Sequence, residues 1–161
     1  MTKKLVYVLL MSLIVSCQTN SKNEEVDMNN FDLPIQKKHN ENNIVGFACY
    51  EDGSTSKPVE IFSTILANKD YKKVKNKLEK TWPAEKFLAT VICEKLVEKK
   101  LIILSESELH LIKKNKISKE EVETCSGCTN NDELTLKDLF SKNKKYLMDQ
   151  FYQWFKINLK T

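Results

Sequence analysis

Apolar and polar positions follow three regimes along the 161-residue chain. Leu5 to Val15 is an apolar run broken only by Ser12, and residues 18–43 are polar with no period. From Ile44 onward the spacing predicts helices. A short apolar piece, Ile44 to Tyr50, precedes a turn, and Pro58 then opens a helix with Ser54, Thr55 and Ser56 as candidate caps. Val59, Phe62 and Leu66, with Ile61 and Ile65 beside them, form one broad face. Asp70 can cap a second helix, whose Tyr71, Val74 and Leu78 make a stripe among lysines.

From Ala84 to about Lys99 the chain is apolar on most sides, with Lys86, Thr90 and Glu94 along one strip, so this helix is expected at the centre. Ser105 with Glu108 matches a capping box ahead of Leu109 and Ile112. A second such pair, Ser118 with Glu121, predicts a turn or two of helix stopping at Cys125-Ser126-Gly127-Cys128. A third, Thr135 with Asp138, opens a long amphipathic helix carrying Leu136, Phe140, Leu147, Phe151, Phe155 and Leu159. Strand signals are thin. The expectation is an all-α domain over residues 44–161: five to six helices in a small irregular bundle or a short array of helical hairpins. Pro58 and Pro83 both begin longer helices with shorter partners, but the two pairs are not alike enough to establish a repeat.

Composition narrows the function classes. All 26 basic residues are lysine, so bidentate arginine grips on phosphate or sugar acids are missing. Three glycines and three prolines argue against a loop-rich β-sandwich or a glycine-rich phosphate loop.

The first regime carries a resemblance. Lys3 and Lys4 precede the apolar run, which is too short to span a bilayer core needing about 20 residues. It ends on Ile14, Val15, Ser16 and Cys17, after which the chain turns polar at Gln18. This resembles the signal and lipobox of a bacterial lipoprotein precursor. The resemblance covers residues 1 to about 20 alone, and no family is assigned to the globular part from its residues.

It implies a cleaved signal over residues 1–16, a diacylglycerol thioether on Cys17 and acylation of the new amine. Two or more acyl chains hold a protein on a membrane where one does not. It also implies an envelope location, with the outer membrane favoured in a two-membrane cell because Gln18 follows Cys17. Residues 17–43 then read as a lipid-anchored flexible tether, with a reach of about 25–30 Å. Loss of Lys3 and Lys4 leaves 24 basic against 22 acidic side chains, no basis for nucleic-acid binding.

Setting Cys17 aside, four cysteines remain in a disulfide-permissive compartment. Cys93, among apolar residues of the central helix, reads as a buried thiol. Cys49, Cys125 and Cys128 are disulfide candidates: Cys49 can pair with Cys125 or Cys128, or the near pair can bridge. The first option closes a loop of about 75 residues, worth on the order of 4 kcal/mol in the chain-entropy model. Thiol–disulfide exchange at Cys125 and Cys128 is the rival use. It is disfavoured because the pair is expected at a helix end, whose dipole opposes a thiolate. A zinc site would need these three cysteines and His39 or His110, neither at a predictive spacing.

No nucleophile or metal motif surrounds either histidine, and no metal or other cofactor is expected. The chain is therefore expected to be non-enzymatic: a membrane-anchored lipoprotein whose helical domain binds another protein, in one form an immunity or inhibitor protein. A structural envelope lipoprotein is the further alternative. Trp82, Tyr152 and Trp154 are the candidate partner-binding anchors, since exposed aromatics on helix edges are frequent interface hot spots.

Overall fold

The computed structural model describes residues 40–79, 81–127, 130–141 and 145–159. The signal, Cys17, His39 and most of the tether lie outside the described residues, as does Cys128.

Among the described residues, regular structure begins ahead of the boundary expected at Ile44. A 3-10 turn, Glu41–Asn43, is capped by the Asn40 side chain, which accepts from Asn42 N–H. There follow a two-residue strand β1 (Ile44–Val45) and the helices α1 (Lys57–Ala67), α2 (Tyr71–Asn76), α3 (Pro83–Glu98) and α4 (Glu106–Lys116). Strands β2 (Glu121–Ser126) and β3 (Asn130–Thr135) come next, then α5 (Leu136–Leu139) and α6 (Lys145–Leu159).

The all-α expectation is overturned by a three-stranded mixed sheet in the order β1-β2-β3. β1 runs parallel to β2, with Ile44 opposite Glu123 and Val45 opposite Thr124. β2 and β3 form an antiparallel hairpin, with Glu121 opposite Thr135 and Cys125 opposite Asn131. Ser118 and Glu121 have capping-box spacing, but Ser118 does not cap. Its Oγ accepts from Glu120 N–H and donates to Glu120 Oε2, a local turn that releases the chain in extended form. The β-branched Val122 and Thr124 then suit a strand, and Val122 and Cys125 are buried.

The long C-terminal helix is also corrected, to two pieces. Thr135 and Asp138 do make the reciprocal capping box, but α5 ends at Leu139. In the sequence the apolar stripe has a gap between Phe140 and Leu147. α6 resumes where the stripe does.

Elsewhere the pattern reading places the elements well. Asp70 caps α2 by accepting from Lys73 N–H, and Ser105 with Glu108 forms a complete box on α4. α3 is central, burying Phe87, Leu88, Val91, Ile92 and Leu96 among others, and it contacts α1, α2, α4, α5 and β2. Its polar strip is matched by its neighbours. Thr90 Oγ1 accepts from the buried Asn115 Nδ2, whose amide also donates to Leu78 O. Lys86 pairs with Glu120 and Glu94 with Lys116. Instead of stacked hairpins, the helices wrap α3 and the sheet closes one side.

Candidate functional site

Three features place the chemistry-bearing residues. The first is a clip at the start of the fold. Cys49 and Cys125 are joined as a disulfide, 5.3 Å between Cα atoms and 76 residues apart. A backbone bond aligns the two segments, Gly127 N–H donating to Ala48 O, while Cys49 N–H donates to Ser54 O within the first. Cys125 therefore sits in a strand rather than at a helix end, with Cys49 as its partner. Two of the sulfurs that a zinc site would use are joined to each other. Among the described residues no group of three His, Cys, Asp or Glu side chains is placed to hold a metal ion, and His110 is exposed on α4. Cys93 is free and buried, and burial pushes its thiol up to about 12, so it is no nucleophile at neutral pH.

The second feature surrounds Trp82. Trp82 stands at the N-cap of α3 but makes no side-chain cap, and Pro83 has no N–H to offer. The first free amide, Ala84 N–H, donates to Asn43 Oδ1 at 3.1 Å, while Asn43 Nδ2 donates to Glu121 O. Asn43 thus caps the central helix from a distance and ties it to β2. Trp82 itself, whose indole has no acceptor with which to cap, is 46% exposed. It borders a shallow recess of about 600 Å³ with Asn42, Lys77, Thr81 and Glu85. The Glu85 carboxylate is nearly buried and bonded to Lys77 at 2.6 Å.

The third feature is a groove of about 540 Å³ between the end of α3 and α6, lined by Lys95, Glu98, Lys99, Tyr152, Phe155, Lys156 and Leu159. Lys95 lies 4.9 Å from the Tyr152 ring centre and bonds Glu98 at 2.6 Å. That bond outweighs partial burial and raises the Lys95 pKa, with Tyr152 and Glu94 adding to it.

Of the three anchors expected from sequence, the structure exposes Trp82 and Tyr152 and removes Trp154. Trp154 is 8% exposed, packs on Phe47 and Phe151, and donates its indole N–H to Ser63 Oγ at 2.9 Å. Counting the α6 stripe only in steps of four places Trp154 at its margin. The i+3 position from Phe151 lies on the same face, and the indole fills it. Asn43 is the residue that sequence reading missed, having been assigned to the tether. Asparagine followed by an apolar pair carries no signal of a contact with a helix forty residues away. No protein-family model, curated protein or solved structure matches this chain.

Proposed function

We propose that this is a lipid-anchored envelope protein whose folded domain binds another protein and performs no catalysis. The observation that carries the reading is Trp82. An indole half in solvent, beside a concave recess and on a rigid helix start, has the character of an interface anchor. Trp154, by contrast, is buried and donates its indole N–H to Ser63 Oγ. The anchor itself rests on the lipobox-like residues Ile14 to Cys17, and Gln18 would favour the outer membrane in a cell with two. An immunity or inhibitor role is one form the binding could take. Thiol exchange has no observation favouring it, since Cys125 is bonded to Cys49 in a strand.

The test is a photo-crosslinking residue at position 82 in cells that make the full chain, with the same residue at exposed Lys119 as control. One discrete protein adduct from position 82 and none from 119 is the expected result. Absence of any adduct from 82 removes the reading. Metabolic labelling with palmitate, lost in Cys17→Ser, checks the anchor separately.

A further inference from the structure

The groove between α3 and α6 lies at the far end of the central helix from Trp82. Sixteen residues separate the two ends, about 24 Å at helical rise. Its α6 wall is built from positions 152, 155, 156 and 159, a two-turn stripe, and its α3 wall from 95, 98 and 99. The floor is apolar: Phe155 is buried, Leu159 is half-buried and the Tyr152 ring is 43% exposed. The rim is basic. Lys95 is neutralised by Glu98, whereas Lys99 and Lys156 form no ion pair with another of the described residues. Both stand where a helix dipole favours positive charge, Lys156 in the last turn of α6 and Lys99 at the C-cap of α3. The last carbonyls of α3 are closed by Lys99 N–H to Lys95 O, Lys100 N–H to Val97 O and Leu101 N–H to Leu96 O, with Lys100 in the left-handed region at φ 59°.

We infer that this groove docks an acidic, amphipathic segment of a partner protein, its apolar side chains on Tyr152 and Leu159 and its carboxylates at Lys99 and Lys156. The chemistry selects this occupant. A small anion would leave the apolar floor uncovered. Lysines provide point charges and not the forked geometry that singles out phosphate. A flat anionic lipid surface would not enter a concave site. The walls run about 10 Å, enough for two turns of helix. The inference rests on the protein-binding reading and adds a second contact with a stated chemistry.

The probe is a synthetic helical peptide of about three turns, with leucines along one face and glutamates flanking them. A twin carries lysine in place of glutamate. Each is titrated by fluorescence anisotropy against the full chain purified in detergent. Saturable binding of the glutamate peptide is expected, about tenfold tighter than that of its twin. Lys99→Glu with Lys156→Glu should reverse the preference, and Tyr152→Ala should weaken binding severalfold. Reversal at two exposed lysines of α4, Lys113→Glu with Lys114→Glu, should leave it unchanged.

No saturable binding, or equal loss on the α4 reversal, overturns the proposal. So does a chain that ignores the peptide but partitions to phosphatidylglycerol over phosphatidylcholine vesicles, a preference abolished only by the groove reversal, which would assign the lysines to lipid. Failure of the peptide with a retained adduct at position 82 removes the groove alone. Failure of both removes the protein-binding reading as well.

Discussion

Gly46 and Ser56 face each other through two hydrogen bonds: Ser56 N–H donates to Gly46 O at 2.9 Å, and Gly46 N–H donates to Ser56 Oγ at 3.1 Å. The serine that sequence spacing offers as a side-chain cap for α1 uses its hydroxyl on a distant amide instead, and is 1% exposed. On its other side Gly46 lies against the disulfide. A Cβ there would fall on the sulfurs of Cys125 and Cys49 and 2.6 Å from Cys125 O.

Gly46→Ala is therefore expected to destabilise the domain by about 1–3 kcal/mol, the range for forcing extra volume into a packed site. Urea unfolding measures it. In a Cys49→Ala, Cys125→Ala background the same change should cost less, because both sulfurs are gone and only the carbonyl contact remains. An equal cost in both backgrounds would mean that the sulfurs do not set the requirement for glycine.

Removing the disulfide by Cys49→Ser with Cys125→Ser should lower stability by about 4 kcal/mol in the chain-entropy model for a separation of 76 residues. Alkylation and intact-mass mapping of the parent should find the Cys49–Cys125 linkage, with Cys93 reacting only after unfolding. A Cys125–Cys128 linkage in the mature protein would contradict this arrangement.

Asn43→Ala removes both the remote cap on Ala84 N–H and the bond to Glu121 O. A loss of about 1–2 kcal/mol is expected, as for other caps. Asn43→Asp keeps the acceptor near a helix N-terminus, where negative charge is favourable, and should recover part of it. Thermal melts of the two variants decide whether the cap or the β2 contact matters more.

The central helix, the two genuine capping boxes at Ser105 and Thr135 and the buried Cys93 were legible because each is a local pattern: a period, a cap at fixed spacing, an apolar neighbourhood. The sheet was not. β1 is two residues long, and its parallel partner lies nearly eighty residues later in β2, a pairing no local window contains. The β2–β3 hairpin is local, but Val122 and Thr124 are its main strand signal, and the serine–acid spacing ahead of them reads as a helix start. Ser118 shows the ambiguity directly: it stands at box spacing from Glu121, but its hydroxyl binds the nearer Glu120 and closes a turn instead. For the surface anchors, exposure depended on which face of a helix was buried. One misplaced step along α6 was enough to put Trp154 at the surface.

Asn115 is the most consequential buried polar residue on α4. At 4% exposure its amide serves Leu78 O and Thr90 Oγ1 at 3.1 and 3.2 Å, joining α4 to the end of α2 and to α3. Asn115→Ala leaves a buried carbonyl without that donor and should cost about 2 kcal/mol. Asn115→Leu should be no better, because Leu78 O remains. Chemical denaturation of the two variants tests this, and a neutral result for either would show that another donor replaces the amide.

Acid sensitivity follows from Glu108. Burial pushes its carboxyl up, but the Ser105 N–H and the Lys75 ammonium at 2.9 Å outweigh that and hold it below the ordinary 4.5. Glu120 behaves alike: burial raises it, and bonds from Lys86 and Ser118 bring the balance below 4.5. A carboxyl lowered on folding binds fewer protons in the native state than in the unfolded one. Its contribution is complete above the unfolded value and is lost as pH falls through the folded one. The urea midpoint should therefore be flat above about pH 5 and decline below about pH 4.5. Glu108→Gln should lower the midpoint at neutral pH and make the decline shallower, because one linked proton is removed. A variant whose midpoint falls with acid as steeply as the parent's would place the sensitivity elsewhere, with Glu120→Gln the next substitution to measure.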